Sequence, residues 1–240
     1  NDVHGIAVHI YMNAAKSMIG DLQRYKVFGK PLWLTEFCAW DGTSSSAAQC
    51  QFMAQSINYL EQDDDLERYA WFIPRWNQAT ESAPFMQLIT KAKPYELTER
   101  GILFVNMSTF DKNAVYPCGK RIPAEHYRAC SIDDSYASPA VSLCTDVNGI
   151  LQIDGLALNQ WMDYKINILS GVKDFQIRYT ATRDSEITIY RVDENGNETA
   201  LQTIALPSTA SKTAWTTLTE SFTPEAGEQV LRLKCTKGLP

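Results

Sequence analysis

Trp33-Leu34-Thr35-Glu36-Phe37-Cys38 is the stretch on which the reading turns. It follows Gly29-Lys30-Pro31, a Gly/Pro stop of the kind that closes a helix, and its aromatic, leucine and β-branched residues mark a short buried strand. Side chains alternate along a strand, so Leu32, Leu34 and Glu36 are expected on one face and Trp33, Thr35 and Phe37 on the other. Glu36 then points with two core leucines at the strand's C-terminal end. A carboxylate placed inward costs free energy unless it is paired or used. The residues alone leave two roles open: a catalytic carboxylate, or a structural one tied to Arg75 or to a backbone cap.

On either side of this strand, apolar runs alternate with longer amphipathic ones. Gly5-Ile6-Ala7-Val8-His9-Ile10-Tyr11 reads as a strand, and residues 14–28 read as a helix whose apolar side is Met18, Ile19, Leu22, Tyr25 and Val27. A second helix is predicted over 45–60 and a third strand over 66–72, after the acidic turn Gln62-Asp63-Asp64-Asp65. Residues 74–96 read as loop and 97–105 as a last helix. The alternation is that of βα units around a parallel sheet, but three parallel strands do not close a barrel. The expected fold is therefore α/β, with further strands upstream. In a βα barrel the C-terminal strand ends carry the chemistry. His9 and Tyr11 share a face at one such end and are expected to line the same mouth as Glu36, with Trp71, Arg75, Trp76 and Trp40 as its substrate-binding walls.

From about Val115 the texture changes to period-two alternation, as in Glu186-Ile187-Thr188-Ile189-Tyr190 and Gln229-Val230-Leu231-Arg232-Leu233. That pattern predicts an all-β part, an antiparallel β-sandwich of jelly-roll type. Asp193-Glu194-Asn195-Gly196-Asn197 supplies an Asn-Gly hairpin turn. Two domains follow, over residues 1–110 and 111–240, with their boundary within 107–114.

Composition narrows the partners. A chain of 240 residues that is 45% hydrophobic can fill real cores. Its net charge of -6, without a Lys/Arg cluster, excludes nucleic acid, which is bound chiefly by neutralising phosphates. No run approaches the roughly 18 apolar residues of a membrane span. The N-terminus lacks signal-peptide regions, so a secretion signal is expected upstream. Six Trp and eleven Tyr suit stacking on sugar rings, although core packing is the expected role of most of them. Six Cys without C-x-x-C spacing argue against a metal, and no cofactor is implied. Their even number, with the sequons Asn106-Met107-Ser108 and Asn197-Glu198-Thr199, points to an oxidising, extracellular setting, and a Cys38–Cys50 bridge is expected across the loop between strand and helix; the protein is expected to be a monomer.

His9-x-Tyr11, then Gly29-Lys30-Pro31-Leu32-Trp33-Leu34-Thr35-Glu36-Phe37, then Arg68-Tyr69-Ala70-Trp71-Phe72 resemble the last three strands of glycoside hydrolase family 128. The resemblance spans residues 1–106 and implies the C-terminal portion of a (β/α)8 TIM barrel that cleaves β-1,3-glucan by the retaining route, with Glu36 as nucleophile. Retaining chemistry needs a second carboxyl roughly 5 Å away to protonate the leaving oxygen. The family carries that acid on an earlier strand, and no residue of this chain matches it, Asp2 and Asp41 being poor substitutes.

Arg121-Ile122-Pro123-Ala124-Glu125-His126-Tyr127, Asn159-Gln160-Trp161-Met162-Asp163-Tyr164 and Trp215-Thr216-Thr217 resemble carbohydrate-binding module family 6. Against that family's stacking rings the chain has Gln152 before Ile153-Asp154, and Lys212 three residues before Trp215, unless Trp215 itself has taken over the role. An Asn of the family's last strand would fall beyond Pro240. Tyr136, Trp161, Tyr164 and Trp215 remain as sugar contacts, with a core role as the alternative for Trp161 and Tyr164. The function expected is a secreted endo-type β-1,3-glucanase with an appended binding module. The rival is a non-catalytic protein that holds wall polysaccharide.

Overall fold

The computed structural model describes residues 3–40, 45–76, 85–107, 114–131, 139–147 and 149–238. The chain divides into two compact units, formed mainly by residues 1–112 and mainly by 113–240.

In the first unit the elements run β1 (Ile6–Ile10), α1 (Ala15–Gln23), β2 (Leu32–Phe37), α2 (Ser46–Leu60), β3 (Leu66–Trp71) and α3 (Glu99–Met107). Ala15, Met18 and Leu22 are the buried stripe of α1, at the three- and four-residue spacing of a helix face. The helix expected to run to residue 28 ends sooner. A separate 3-10 turn over Lys26–Phe28 follows, closed by Gly29 at φ 58, a left-handed conformation natural to glycine. The Ser45 side chain accepts from the Ala48 amide and caps α2. The strands pair in the order β1-β2-β3, all parallel.

Leu32, Leu34 and Phe37 are fully buried beneath the helices, each contributing about 1.5–3 kcal/mol of burial free energy. Their spacing departs from strict alternation. Consecutive residues Val8 and His9 of β1 pair with Leu34 and Glu36, and Tyr69 and Trp71 of β3 pair with Leu34 and Phe37. Both neighbours thus see one extra residue in β2, a β-bulge at Thr35. The expectation that Glu36 shares a face with Leu32 and Leu34 is corrected accordingly. After the bulge Phe37 takes the core face, and Glu36 joins His9 on the face opposite the helices.

The second unit is all β. Its strands are β4 (Tyr116–Pro117), β5 (Ala129–Cys130), β6 (Ala140–Leu143), β7 (Leu151–Asp154), β8 (Trp161–Ile168), β9 (Asp174–Tyr179), β10 (Ser185–Val192), β11 (Glu198–Leu206), β12 (Thr216–Ser221) and β13 (Gly227–Lys237). One sheet runs β11-β10-β13-β8-β4 with β5 also on β8, and β12 pairs with β9 in a second. Within these two sheets the pairings are antiparallel except β4 with β8, and β6 pairs with β7 separately. Between the sheets lie Ile168, Tyr179, Ile187, Ile189, Ile204, Leu206, Phe222 and Leu231, with Phe175, Ile177 and Leu218 packed against them. The β10–β11 hairpin turns at Gly196, φ 83, and Asp193 accepts from the Asn195 and Asn197 amides to close it.

Candidate functional site

Pairing register places His9 directly across from Glu36. His9 Nδ1 lies 3.3 Å from Glu36 Oε2. The Tyr11 hydroxyl donates to the same oxygen. Burial, and then the carboxylate it faces, push the Tyr11 phenol well above its ordinary range, so it remains a donor at every physiological pH. Among the described residues no hydrogen bond reaches Glu36 Oε1. The Glu36 side chain keeps 34% of its surface exposed. The carboxylate is therefore held by one oxygen and accessible at the other.

Three rings stand beside it. Tyr11 meets Trp40 edge-on at 5.4 Å between centroids and Phe72 at 5.7 Å, while Trp40 and Phe72 are 5.9 Å apart. Trp40 is exposed enough to offer a face to a ligand. Its placement starts one residue earlier. The buried Gln49 of α2 donates to the Ala39 carbonyl at 2.8 Å and accepts from the Ala39 amide at 3.0 Å, fixing the chain as it leaves β2. Phe72 is likewise tied to the strand, its amide donating to the Phe37 carbonyl at 3.0 Å. Neither Gln49 nor Phe72 was singled out by the sequence pattern, because each acts through a contact that only the fold creates.

The other walls expected around this mouth lie elsewhere. Trp71 is only 4% exposed, packs on Phe37 at 5.1 Å and Phe52 at 6.1 Å, and donates its indole N–H to the Met86 carbonyl at 2.6 Å. It is a core residue on the helix side of the sheet, which corrects its expected substrate-binding place. Arg75 stacks over Tyr95 at 4.8 Å, so the structural alternative of a Glu36–Arg75 pair is not what the structure forms. Trp76 is half-buried in the following loop, and no contact among the described residues joins it to Glu36, His9 or Tyr11. Asp2 and Asp41 lie outside the described residues.

At one end of the sandwich, Trp215 donates its indole N–H to Thr145 Oγ1 at 2.9 Å, and the Thr145 amide donates to Gln152 Oε1 at 3.0 Å. Gln152, compared with one stacking ring, and Trp215, the substitute for Lys212 at the other, thus meet through Thr145, which the sequence did not single out. Nearby, Arg178 forks onto Asp146 and also reaches Thr217 at 3.3 Å; its hydrogen bonds hold the Asp146 carboxyl below the usual range. Lys212 is exposed. Tyr136 lies outside the described residues.

Trp161 and Tyr164 take structural places. Arg232 lies 3.5 Å over the Trp161 ring, grips Asp163 at 2.7 and 2.8 Å and reaches Glu198 at 2.7 Å. Burial pushes Glu198 upward, but Arg232 and Lys234 together outweigh it and lower its carboxyl. The Tyr164 hydroxyl donates to the Ala124 carbonyl at 2.6 Å from a buried position.

All six cysteines are free thiols, so the expected Cys38–Cys50 bridge is not formed. Both residues are buried, Cys50 beside the Arg100 guanidinium and Glu99. Burial, chiefly, pushes each thiol up to about 12. Among the described residues no group of three or more His, Cys, Asp or Glu could hold a metal ion.

Residues 1–104 match the glycosyl hydrolase catalytic core family, and residues 124–239 match the carbohydrate binding module of family 6. The first part of the chain is thus similar to glycosyl hydrolase catalytic cores, and the second part to carbohydrate binding modules of family 6. The core segment resembles a subgroup II glycoside hydrolase family 128 endo-β-1,3-glucanase from Pseudomonas viridiflava. Identity is 32% over 43% of this chain and 39% of that enzyme, with a TM-score of 0.37. The binding module resembles a β-1,3-glucan-binding family 6 module from Bacillus halodurans, at 22% identity over 53% of this chain and 90% of that one, TM-score 0.45. It also resembles a family 6 module from Clostridium stercorarium solved with cellobiose, at 18% identity over 52% and 91%, TM-score 0.44. No curated protein matches the chain.

Proposed function

We propose that this chain carries the nucleophile of a secreted, retaining β-glucanase of the TIM-barrel type, acting on β-1,3-glucan. The observation that carries the reading is the state of Glu36. One carboxylate oxygen is held by Tyr11 and His9, the other is unengaged among the described residues, and an exposed indole stands beside them. Held this way, Glu36 Oε1 attacks the anomeric carbon to form a glycosyl-enzyme ester, which water then hydrolyses. The Tyr11 and His9 contacts keep the carboxylate oriented, so little of the barrier goes into arranging it. Trp40, flanked by Tyr11 and Phe72, offers an apolar face to a glucosyl ring. The β-1,3 linkage rests on the motif resemblance to family 128, and secretion on the polymeric substrate, which does not cross membranes.

Protonation of the leaving oxygen requires a second carboxyl about 5 Å from the first. Among the described residues the contacts of Glu36 are a tyrosine and a histidine, so the acid is a further carboxyl, to be identified by substituting candidate Asp and Glu residues in the same assay. The binding module adds affinity for the same polymer. With the Trp215 indole N–H committed to Thr145 and Gln152 engaged with the same residue, its contribution is weak stacking from one ring.

The test uses Glu36→Gln and Glu36→Ala in the complete protein, assayed on laminarin and on an activated aryl glucoside with and without azide. Loss of several orders of magnitude with folding intact, and azide rescue giving a glycosyl azide of inverted configuration, is expected for a nucleophile. Wild-type rates in both variants remove Glu36 from the mechanism and leave a polysaccharide-binding protein. A retained azide product assigns Glu36 the acid role instead.

A further inference from the structure

The face on which Glu36 sits is decided by one residue. Without an extra position in β2, alternation from Leu32 and Leu34 carries Glu36 under the helices, where its charge has no partner, and turns Phe37 out of the core. The β1 register places the extra residue between Leu34 and Glu36, which is Thr35, and the β3 register agrees that one extra residue lies between Leu34 and Phe37. Thr35 is half-buried, and its Oγ1 donates to the Val8 carbonyl at 3.3 Å, across the point where the β1 register shifts. The residue after Val8 is His9, which faces Glu36. The hydroxyl therefore ties the displaced part of β2 to the strand that carries His9 and leads directly into Tyr11.

We propose that Thr35 is a positioning residue for Glu36. Its hydroxyl fixes the bulge that delivers the carboxylate to Tyr11 and His9, although Thr35 touches no substrate. This rests on Glu36 being the nucleophile. A bulge next to a working side chain re-aims that side chain. Displacement of a reacting group by about 1 Å costs up to roughly 100-fold in rate.

The experiment compares Thr35→Val, which keeps shape and loses the hydroxyl, with Thr35→Ala and Thr35→Ser in the complete protein. Glu36→Gln serves as a control in the same laminarin assay. In Thr35→Val and Thr35→Ala, kcat is expected to fall about 10- to 100-fold with KM changed less than about threefold, and Thr35→Ser to stay within about threefold of wild type. Crystal structures of the two hydroxyl-less variants are expected to show the Glu36 carboxylate withdrawn from Tyr11. Wild-type kcat in whichever of them folds, or a carboxylate unmoved from Tyr11 and His9, overturns the proposal. An active Glu36→Gln overturns the nucleophile reading instead, and the crystal structures still decide whether the hydroxyl holds the bulge.

Discussion

Tyr11→Phe removes the hydroxyl that donates to Glu36 while leaving the ring between Trp40 and Phe72. A hydrogen bond to a charged group contributes about 1.5–3 kcal/mol, so kcat on laminarin is expected to fall roughly 10- to 100-fold with the melting temperature little changed. Because the phenol stays protonated through the working range, its loss is expected to lower the pH–rate profile without removing its alkaline limb. Trp71→Ala is the contrasting case. Its ring is buried against Phe37 and Phe52, so truncation is expected to cost about 3–5 kcal/mol in denaturant unfolding, with KM of the folded fraction unchanged. A raised KM in Trp71→Ala would place its ring back at the site.

Elements carry the second kind of sensitivity. Helix α3 is seated on the Leu88 backbone: the Thr98 amide donates to the Leu88 carbonyl at 2.9 Å, and the Gly101 amide donates to Thr98 Oγ1 at 3.1 Å. A Cβ on Gly101 would lie 2.1 Å from the Leu88 oxygen, an overlap with backbone that cannot swing aside. Gly101→Ala is expected to destabilise the first unit by about 1–3 kcal/mol or more, read as a lower urea midpoint at constant slope. At this scale, what the sequence discloses and what it hides separate cleanly. Strand and helix periodicity gave β1, α2, β2 and β3, and with them the meeting of His9, Tyr11 and Glu36, because parallel neighbours bring strand ends together. Periodicity assumes unbroken alternation, so it put Glu36 on the leucine face; Thr35 looks like any β-branched strand residue and announces no bulge. Trp71 misled for a related reason. Its partners Phe52 and the Met86 carbonyl come from a helix and a distant loop, and no local pattern records them. The Thr145 contact between Gln152 and Trp215 joins residues far apart in sequence, visible only once the strands are folded.

Across the whole molecule, protons distinguish the two units. In the sandwich, His126 is half-buried with Nδ1 3.1 Å from the Tyr116 hydroxyl, and burial lowers its pKa from the ordinary value of about 6.5. The unfolded chain then binds a proton more readily than the folded one. This stability is intact above about pH 6.5 and is lost as pH falls from there toward the lower folded value. Glu125, raised by its own burial, acts in the opposite sense and gains stability as pH falls through its raised pKa. The difference between wild type and His126→Gln isolates the histidine. The thermal midpoint of the sandwich is expected to decline on acidification from about pH 7 to about pH 5.5 in wild type and to decline less in the variant. Equal slopes would show that His126 titrates as if unfolded.

The buried thiols of the first unit make it its own stopwatch. Cys38 and Cys50 sit at 0% and 1% exposure with their thiols pushed up to about 12, so the native state presents almost no thiolate to a reagent in solution. An alkylating agent in excess reacts only with molecules whose helix layer has lifted away from β2, and the rate of mass gain at these two positions counts those liftings one by one. Tracked against denaturant, that rate separates a local parting of α2 from collapse of the whole unit, and it does so from the same strand that presents Glu36.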